Sequence, residues 1–249
     1  MKRVLLKIAY MGTNYNGWQK QKHNPNTIEE KVTDAIFLAI NEKVELVGSS
    51  RTDAGVHAFG QLAHFDSETT IPSEKLALII NRFLPDDIKI VMSMDVPSDF
   101  SARFNVVNKT YKYLTYLSDI ELPYYKNRAL RLYGKYNIDA MQKACMYLEG
   151  TNDFAAFKKS DTDYISTVRT INSAKVFTNN NEIVFEINGD GFMHNMIRII
   201  VGTLLDIGRE KKKPEYILKL IELKDRTIAG KTVVSDGLYL KEIYTTLDK

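Results

Sequence analysis

A chain of 249 residues, 44% apolar and 26% charged, has the makeup of an ordinary globular protein, long enough for one large domain or two modest ones. That makeup excludes disorder, collagen-like repeats and coiled coil. The formal net charge of +3, from 34 basic and 31 acidic residues, is too small to demand an anionic partner.

The start, Met1-Lys2-Arg3, is basic like that of a signal peptide, but Lys7 interrupts the apolar stretch after three residues, so no export segment is expected. A strand is predicted at 3–10, where Val4, Leu6, Ile8 and Tyr10 alternate with a second face. A Gly/Asn-rich loop at 11–26 leads to a helix at 27–40, opened by Thr27 and Glu30 at capping-box spacing. Its apolar stripe is Ile28, Val32, Ala35, Ile36 and Ala39. Strands at 44–50 and 60–66, a helix at 73–84 capped by Ser73, and a strand at 88–95 complete a β-α-β-β-α-β order.

The second half repeats it. A strand at 109–118 runs through a long loop to a helix at 138–149. Strands at 167–178 and 182–189 then flank the turn Asn179-Asn180-Asn181, a strong hairpin signal. A helix at 192–208, a short one from Pro214 and a strand at 237–244 follow. The expectation is an α+β fold of two tandem ferredoxin-like halves, 1–104 and 105–249, with antiparallel sheets whose open faces could form a broad cleft. No run approaches the ~18 apolar residues of a membrane helix. Cys145 is the sole cysteine, which allows neither an intrachain disulfide nor a thiolate metal site and fits a reducing cytoplasm.

Charge is unevenly spread. Residues 101–135 hold seven Lys or Arg against two acids, Asp119 and Glu121, together with six tyrosines and Phe104. Cations for phosphates, interleaved with rings for bases, suit single-stranded or looped RNA; a solvated loop with long side chains lying over apolar neighbours is the plainer alternative. His23, His57, His64 and His194 have no metal-ligand spacing. Gly12 and Gly17 make half a phosphate loop, but Trp18 and Gln19 replace the Lys and Ser/Thr it needs. The run Arg209-Glu210-Lys211-Lys212-Lys213 suits a helix C-terminus, with contact to RNA phosphates as the other option.

The segment 48–58, between two predicted strands, is built of small residues around Asp53, with Arg51 two residues back. A carboxylate beside a guanidinium stays ionised and can serve as nucleophile or base. Physics alone favours an Asx-turn beside a solvated arginine.

Arg51-Thr52-Asp53-Ala54-Gly55-Val56-His57-Ala58 resembles the signature of the tRNA pseudouridine synthase A family. Further blocks resemble that family in the expected order. They are Tyr10-x-Gly12-x-x-Tyr15-x-Gly17-Trp18-Gln19-x-Gln21, then Phe100-Ser101-Ala102-Arg103-Phe104 with Lys109-Thr110-Tyr111-Lys112-Tyr113. The stretch from Gly191 to Leu204 and the tail Gly237-Leu238-Tyr239-Leu240 complete the set, so the resemblance spans essentially the whole chain. Departures fall at Val233-Val234-Ser235-Asp236, where the family has an Ala-Pro pair, at His194-Asn195, and in the loop 119–135. They leave the target uridines open.

The resemblance implies an isomerase that breaks the N1–C1′ bond of a uridine and joins C5 to C1′. No atom is gained or lost, so neither cofactor nor metal is expected. It implies Asp53 as the catalytic carboxylate, Tyr111 packing on the target base, Arg198 holding the carboxylate, and Arg51 in base flipping. It further implies a central RNA-binding cleft, uridines 38, 39 and 40 of the tRNA anticodon stem-loop as substrates, and a homodimer. The competing expectations are a non-catalytic RNA binder, which has no use for Asp53, and a nucleoside hydrolase, which needs a second carboxylate or an activated water.

Overall fold

The computed structural model describes residues 1–160, 162 and 164–248. In chain order the first elements are β1 (Lys2–Tyr10), α1 (Ile28–Ile40), β2 (Val47–Gly48), β3 (His57–Ser67), α2 (Ser73–Ile80) and β4 (Ile88–Val96). Next come β5 (Val106–Leu117), β6 (Leu130–Leu132), α3 (Ile138–Met146), β7 (Gly150–Asp153) and β8 (Val168–Asn179). The chain closes with β9 (Glu182–Gly189), α4 (Met196–Gly208), α5 (Tyr216–Leu223) and β10 (Leu238–Thr245). This is a mixed α+β protein with mostly antiparallel strand pairing. It forms two compact units, Met1–Val107 with Tyr239–Lys249, and Asn108–Leu238. The first unit thus extends three residues beyond position 104 and also takes in the last strand.

In the first unit β1 lies between β3 and β4, antiparallel to both. Val4, Leu6, Ile8 and Tyr10 are buried as the alternation predicts, and Leu5 is buried too, so the middle of β1 is covered on both faces. Two strands share the other side of β3. β2 pairs antiparallel at Ala63 and His64, and β10 pairs parallel at His57 and Ala58. The parallel β10–β3 pair departs from the expected antiparallel pairing. β2 is two residues long rather than the seven predicted at 44–50.

Helix α1 buries Ile28, Val32, Ala35 and Ile36 and stops at Asn41, whose left-handed φ of 55° ends the hydrogen-bond ladder. The capping box does not form. Among the described residues the buried Thr27 hydroxyl has no hydrogen-bond partner, and Glu30 faces Lys20 at 3.8 Å. Helix α2 is shorter than predicted, and the Ser73 hydroxyl bonds Asp95 at 2.6 Å instead of capping the helix.

In the second unit β9 runs between β5 and β8, antiparallel to both, and β7 pairs with β8. The β8–β9 hairpin turns where predicted, with Asn180 at φ 54°. The short strands β6 and β7 were not predicted, and β6 runs parallel to β5. Asn137 caps α3 by accepting the Ala140 N–H at 2.9 Å. Helix α4 starts at Met196, four residues later than predicted, because Asn195 takes a left-handed φ of 64° at its N-cap. Every residue of α4 is buried except Arg198 and Asp206, which are partly exposed. Cys145 is buried, which pushes its thiol up to about 12. Among the described residues no helix is long and apolar enough to cross a membrane.

Candidate active site

Asp53 opens a tight turn in the first unit. The Val56 N–H donates to the Asp53 carbonyl at 3.1 Å, and Gly55 sits at φ +79°. A positive φ at the third position of such a turn is the conformation that glycine adopts without steric penalty. The turn is gripped from both ends of the segment that follows β1. The Trp18 N–H donates to the Thr52 carbonyl at 3.1 Å and the Gly55 N–H to the Tyr15 carbonyl at 3.3 Å. The buried Tyr10 and Thr52 hydroxyls share a hydrogen bond of 2.7 Å.

Two glycines allow this approach. A Cβ on Gly12 would stand 2.0 Å from the Val56 carbonyl oxygen, and one on Gly17 would stand 2.5 Å from that of Thr52. Gly17 also holds φ +89°. His57, wholly buried, completes the clamp, with its Nδ1 accepting the Gly12 N–H at 2.9 Å. That bond fixes Nδ1 as unprotonated. The His57 ring also lies 4.6 Å from the Tyr239 ring of β10.

Asp53 itself is partly exposed, whereas its neighbours Thr52, Val56 and His57 are buried. Arg51 is exposed and lines a polar cavity of about 190 Å³ with Trp18, Glu29, Glu45 and Arg103. Burial raises the Glu29 carboxyl above its usual range. The Lys20 N–H, the Lys20 and Arg51 charges and Gln19 oppose that rise. Arg51, two residues before the turn that Asp53 opens, therefore lines the cavity while Asp53 stands partly exposed beside it.

The other two candidates lie in the second unit. Tyr111, on β5 opposite Ile187, is 7% exposed, and the Phe192 ring meets it edge-on at 5.4 Å. Arg198 is held on α4 by two hydrogen bonds, from Nε to the Val233 carbonyl at 2.6 Å and from Nη1 to Asn195 Oδ1 at 2.8 Å. A guanidinium restrained at two nitrogens keeps its plane fixed. Lys109 lies two residues before Tyr111, and burial lowers its ammonium to about 8.

The family model described as tRNA pseudouridine synthase matches residues 7–105 and 144–244, which take in the turn, β1 from Lys7 onward, α4 and most of β10. The chain belongs to the tRNA pseudouridine synthase family. Members of this family are isomerases acting on tRNA. Its relatives include tRNA pseudouridine synthase A 2 of Clostridium tetani, 45% identical over 98% of this chain and 98% of that protein. Two others are tRNA pseudouridine synthase A of Acetivibrio thermocellus, 43% identical over 98% and 100%, and of Clostridium acetobutylicum, 44% identical over 98% and 99%.

Reasoning from the sequence missed the roles of Gly12, Gly17 and His57. The two glycines and the histidine stand in the family-like blocks, but nothing local in the sequence assigns them these contacts. The signal was the spacing of Tyr10, Gly12, Tyr15, Gly17 and Trp18, which delivers small residues and hydrogen-bonding backbone to the turn. His64 does the same elsewhere on β3, its Nδ1 accepting the Ala102 N–H at 3.1 Å. Among the described residues no three His, Cys, Asp or Glu side chains group as a metal site would need.

Proposed function

We propose that this protein converts uridine to pseudouridine in the anticodon stem-loop of tRNA, at positions 38, 39 and 40, with Asp53 as its nucleophile. The observation that carries the proposal is the clamped turn. A partly exposed carboxylate stands on a backbone held by Gly12, Gly17 and His57, within a chain that matches the family over nearly its whole length. Fixed placement is what a group needs to meet one reacting atom.

The reaction detaches uracil at N1–C1′, turns it over, joins C5 to C1′, moves the C5 proton to a base and returns a proton to N1. Three courses are open to the Asp53 carboxylate: attack at C1′, addition to C6 of the uracil, or removal of a sugar proton to give a glycal. A base must leave its stack first, which costs a few kcal/mol. Arg51, exposed beside the turn, is the flipping residue in this reading. Tyr111 stacks on the extruded uracil and its hydroxyl is the candidate acceptor for the C5 proton. Arg198 orients the carboxylate as a charge-assisted partner.

The proposal extends to the architecture. Two ferredoxin-like halves, the amino-terminal one carrying the Asp53 loop and the carboxy-terminal one completing an RNA-binding cleft, act as a homodimer in the cytoplasm. The order β1-α1-β2-β3-α2-β4 supports the first half of that description.

The test is tritium release from tRNA labelled at uridine C5. Wild type should release it, and Asp53→Asn should lower the rate by roughly 10³-fold or more while tRNA binding persists. Unchanged release by the variant would remove Asp53 from the chemistry. Binding without release by wild type would make this a non-catalytic RNA binder.

A further inference from the structure

Between β5 and α3 the second unit carries a column of tyrosines that the clamped turn and its chemistry do not use. At its root is Tyr116, 2% exposed, on β5 opposite Glu182 of β9 and Arg131 of β6. The Tyr125 ring lies on it at 4.2 Å and 14°, an offset stack, and the Tyr125 hydroxyl donates to Glu182 at 2.8 Å. The Tyr116 hydroxyl accepts the Leu122 N–H at 3.4 Å, which ties the loop back to its own column. Tyr124 follows, 4.8 Å from Tyr125 and inclined at 50°, and it is 63% exposed. The column therefore grows outward from the core and ends on an uncovered ring.

The loop that carries it is basic in sequence, although Glu182 of β9 meets the Tyr125 hydroxyl. From 118 to 135 the chain has Lys126, Arg128, Arg131 and Lys135 against Asp119 and Glu121. Lys126 and Arg128, immediately after the two tyrosines, are exposed. A ring whose only role is packing buries its faces, because an exposed aromatic face forgoes the gain of leaving water. A nucleobase has the flat π-face that continues such a column, and its phosphates meet the adjacent cations.

We propose that Tyr124, tilted against the Tyr125 ring that stacks on Tyr116 and followed in the chain by Lys126 and Arg128, is a stacking platform for one unpaired nucleobase of the RNA substrate. The site rests on the tRNA reading above and adds to it a second point of attachment. It selects RNA with a base free to stack and is indifferent to which base, since every base offers a π-face.

The experiment measures the affinity of the full-length protein for tRNA, and for a short unstructured oligouridylate, at several salt concentrations. Tyr124→Ala should weaken both by about 5- to 150-fold, the range for losing one stacked base, with the salt slope unchanged. Tyr124→Phe should bind like wild type, because stacking needs the ring and not the hydroxyl. The double variant Lys126→Ala, Arg128→Ala should reduce the salt slope by about 1 to 2. Wild-type affinity in Tyr124→Ala, or equal losses in the Ala and Phe variants, would overturn the platform. So would a change in the sedimentation of free Tyr124→Ala with its RNA affinity intact, which would assign the ring to a protein interface. Tritium release by wild type separates the two failures. Its absence removes the isomerase reading, and its presence with an unaffected Tyr124→Ala removes only the platform.

Discussion

The turn at Asp53 and the segment 118–135 serve the same proposed substrate by opposite means. The turn is fixed through backbone. Glycines at 12 and 17 admit carbonyls that any side chain would repel, and main-chain hydrogen bonds to residues 15 and 18 leave Asp53 little freedom. The tyrosine segment is tied down through Tyr116 and Tyr125 but presents an exposed ring, Tyr124, and the exposed cations Lys126 and Arg128. Chemistry at one atom rewards preorganisation. Recognition of a nucleic-acid surface rewards adaptable rings and charges. The contrast predicts that the turn tolerates almost no change in its supports, while the platform tolerates any change that keeps a ring.

The sharpest way to break that contrast is at the glycines. Gly12→Ala sets a Cβ 2.0 Å from the Val56 carbonyl oxygen, so the turn must move. We expect about 1–3 kcal/mol of lost stability from overpacking and loss of most tritium release, with tRNA affinity nearly retained. Full activity in Gly12→Ala would mean the turn's position is not what the reaction needs. A smaller effect is expected at His57. His57→Phe keeps a ring beside Tyr239 but leaves the buried Gly12 N–H without its acceptor, costing about 1–3 kcal/mol. A denaturant midpoint that falls with an unchanged m-value is the expected signature.

The smallest effect is a pH dependence. Burial, and after it the charge of Arg3, holds His64 below its ordinary value, with Asp66 and Glu45 opposing. The folded state thus resists the proton that the unfolded chain accepts. Stability from neutral His64 is complete above about pH 6.5, the unfolded value, and is lost as pH falls below it. The denaturation midpoint should decline between pH 7.5 and 5.5 in wild type and decline less steeply in His64→Asn. Equal slopes would show that other groups set the acid response.

Much of the frame could be read in the residues because it is written locally. The stripe on α1 repeats at the helical period, and the asparagines at 179–181 mark a reversal wherever the flanking strands sit. The continuous block from Arg51 to Ala58 is specific enough to name its family. What escaped depends on tertiary approach. No pattern in Gly12-x-x-x-x-Gly17 states that another loop's carbonyls will lie against it. The capping box of Thr27 and Glu30 had the right spacing and still failed, because Glu30 turned to Lys20 and Thr27 was enclosed without a partner. β6 and β7, three and four residues long, are too short for any period to show. The parallel pairing of β10 with β3 joins segments about 180 residues apart, which local periodicity does not encode.

That last pairing has a consequence for how the molecule comes into being. A ribosome emits His57 long before Tyr239, so the flank of β3 at His57 and Ala58 stays bare until β10 has been made. Contacts of such wide sequence separation form late and slowly. A chain released prematurely would lack the ring that lies beside His57, and so would be born without a finished support for its acid.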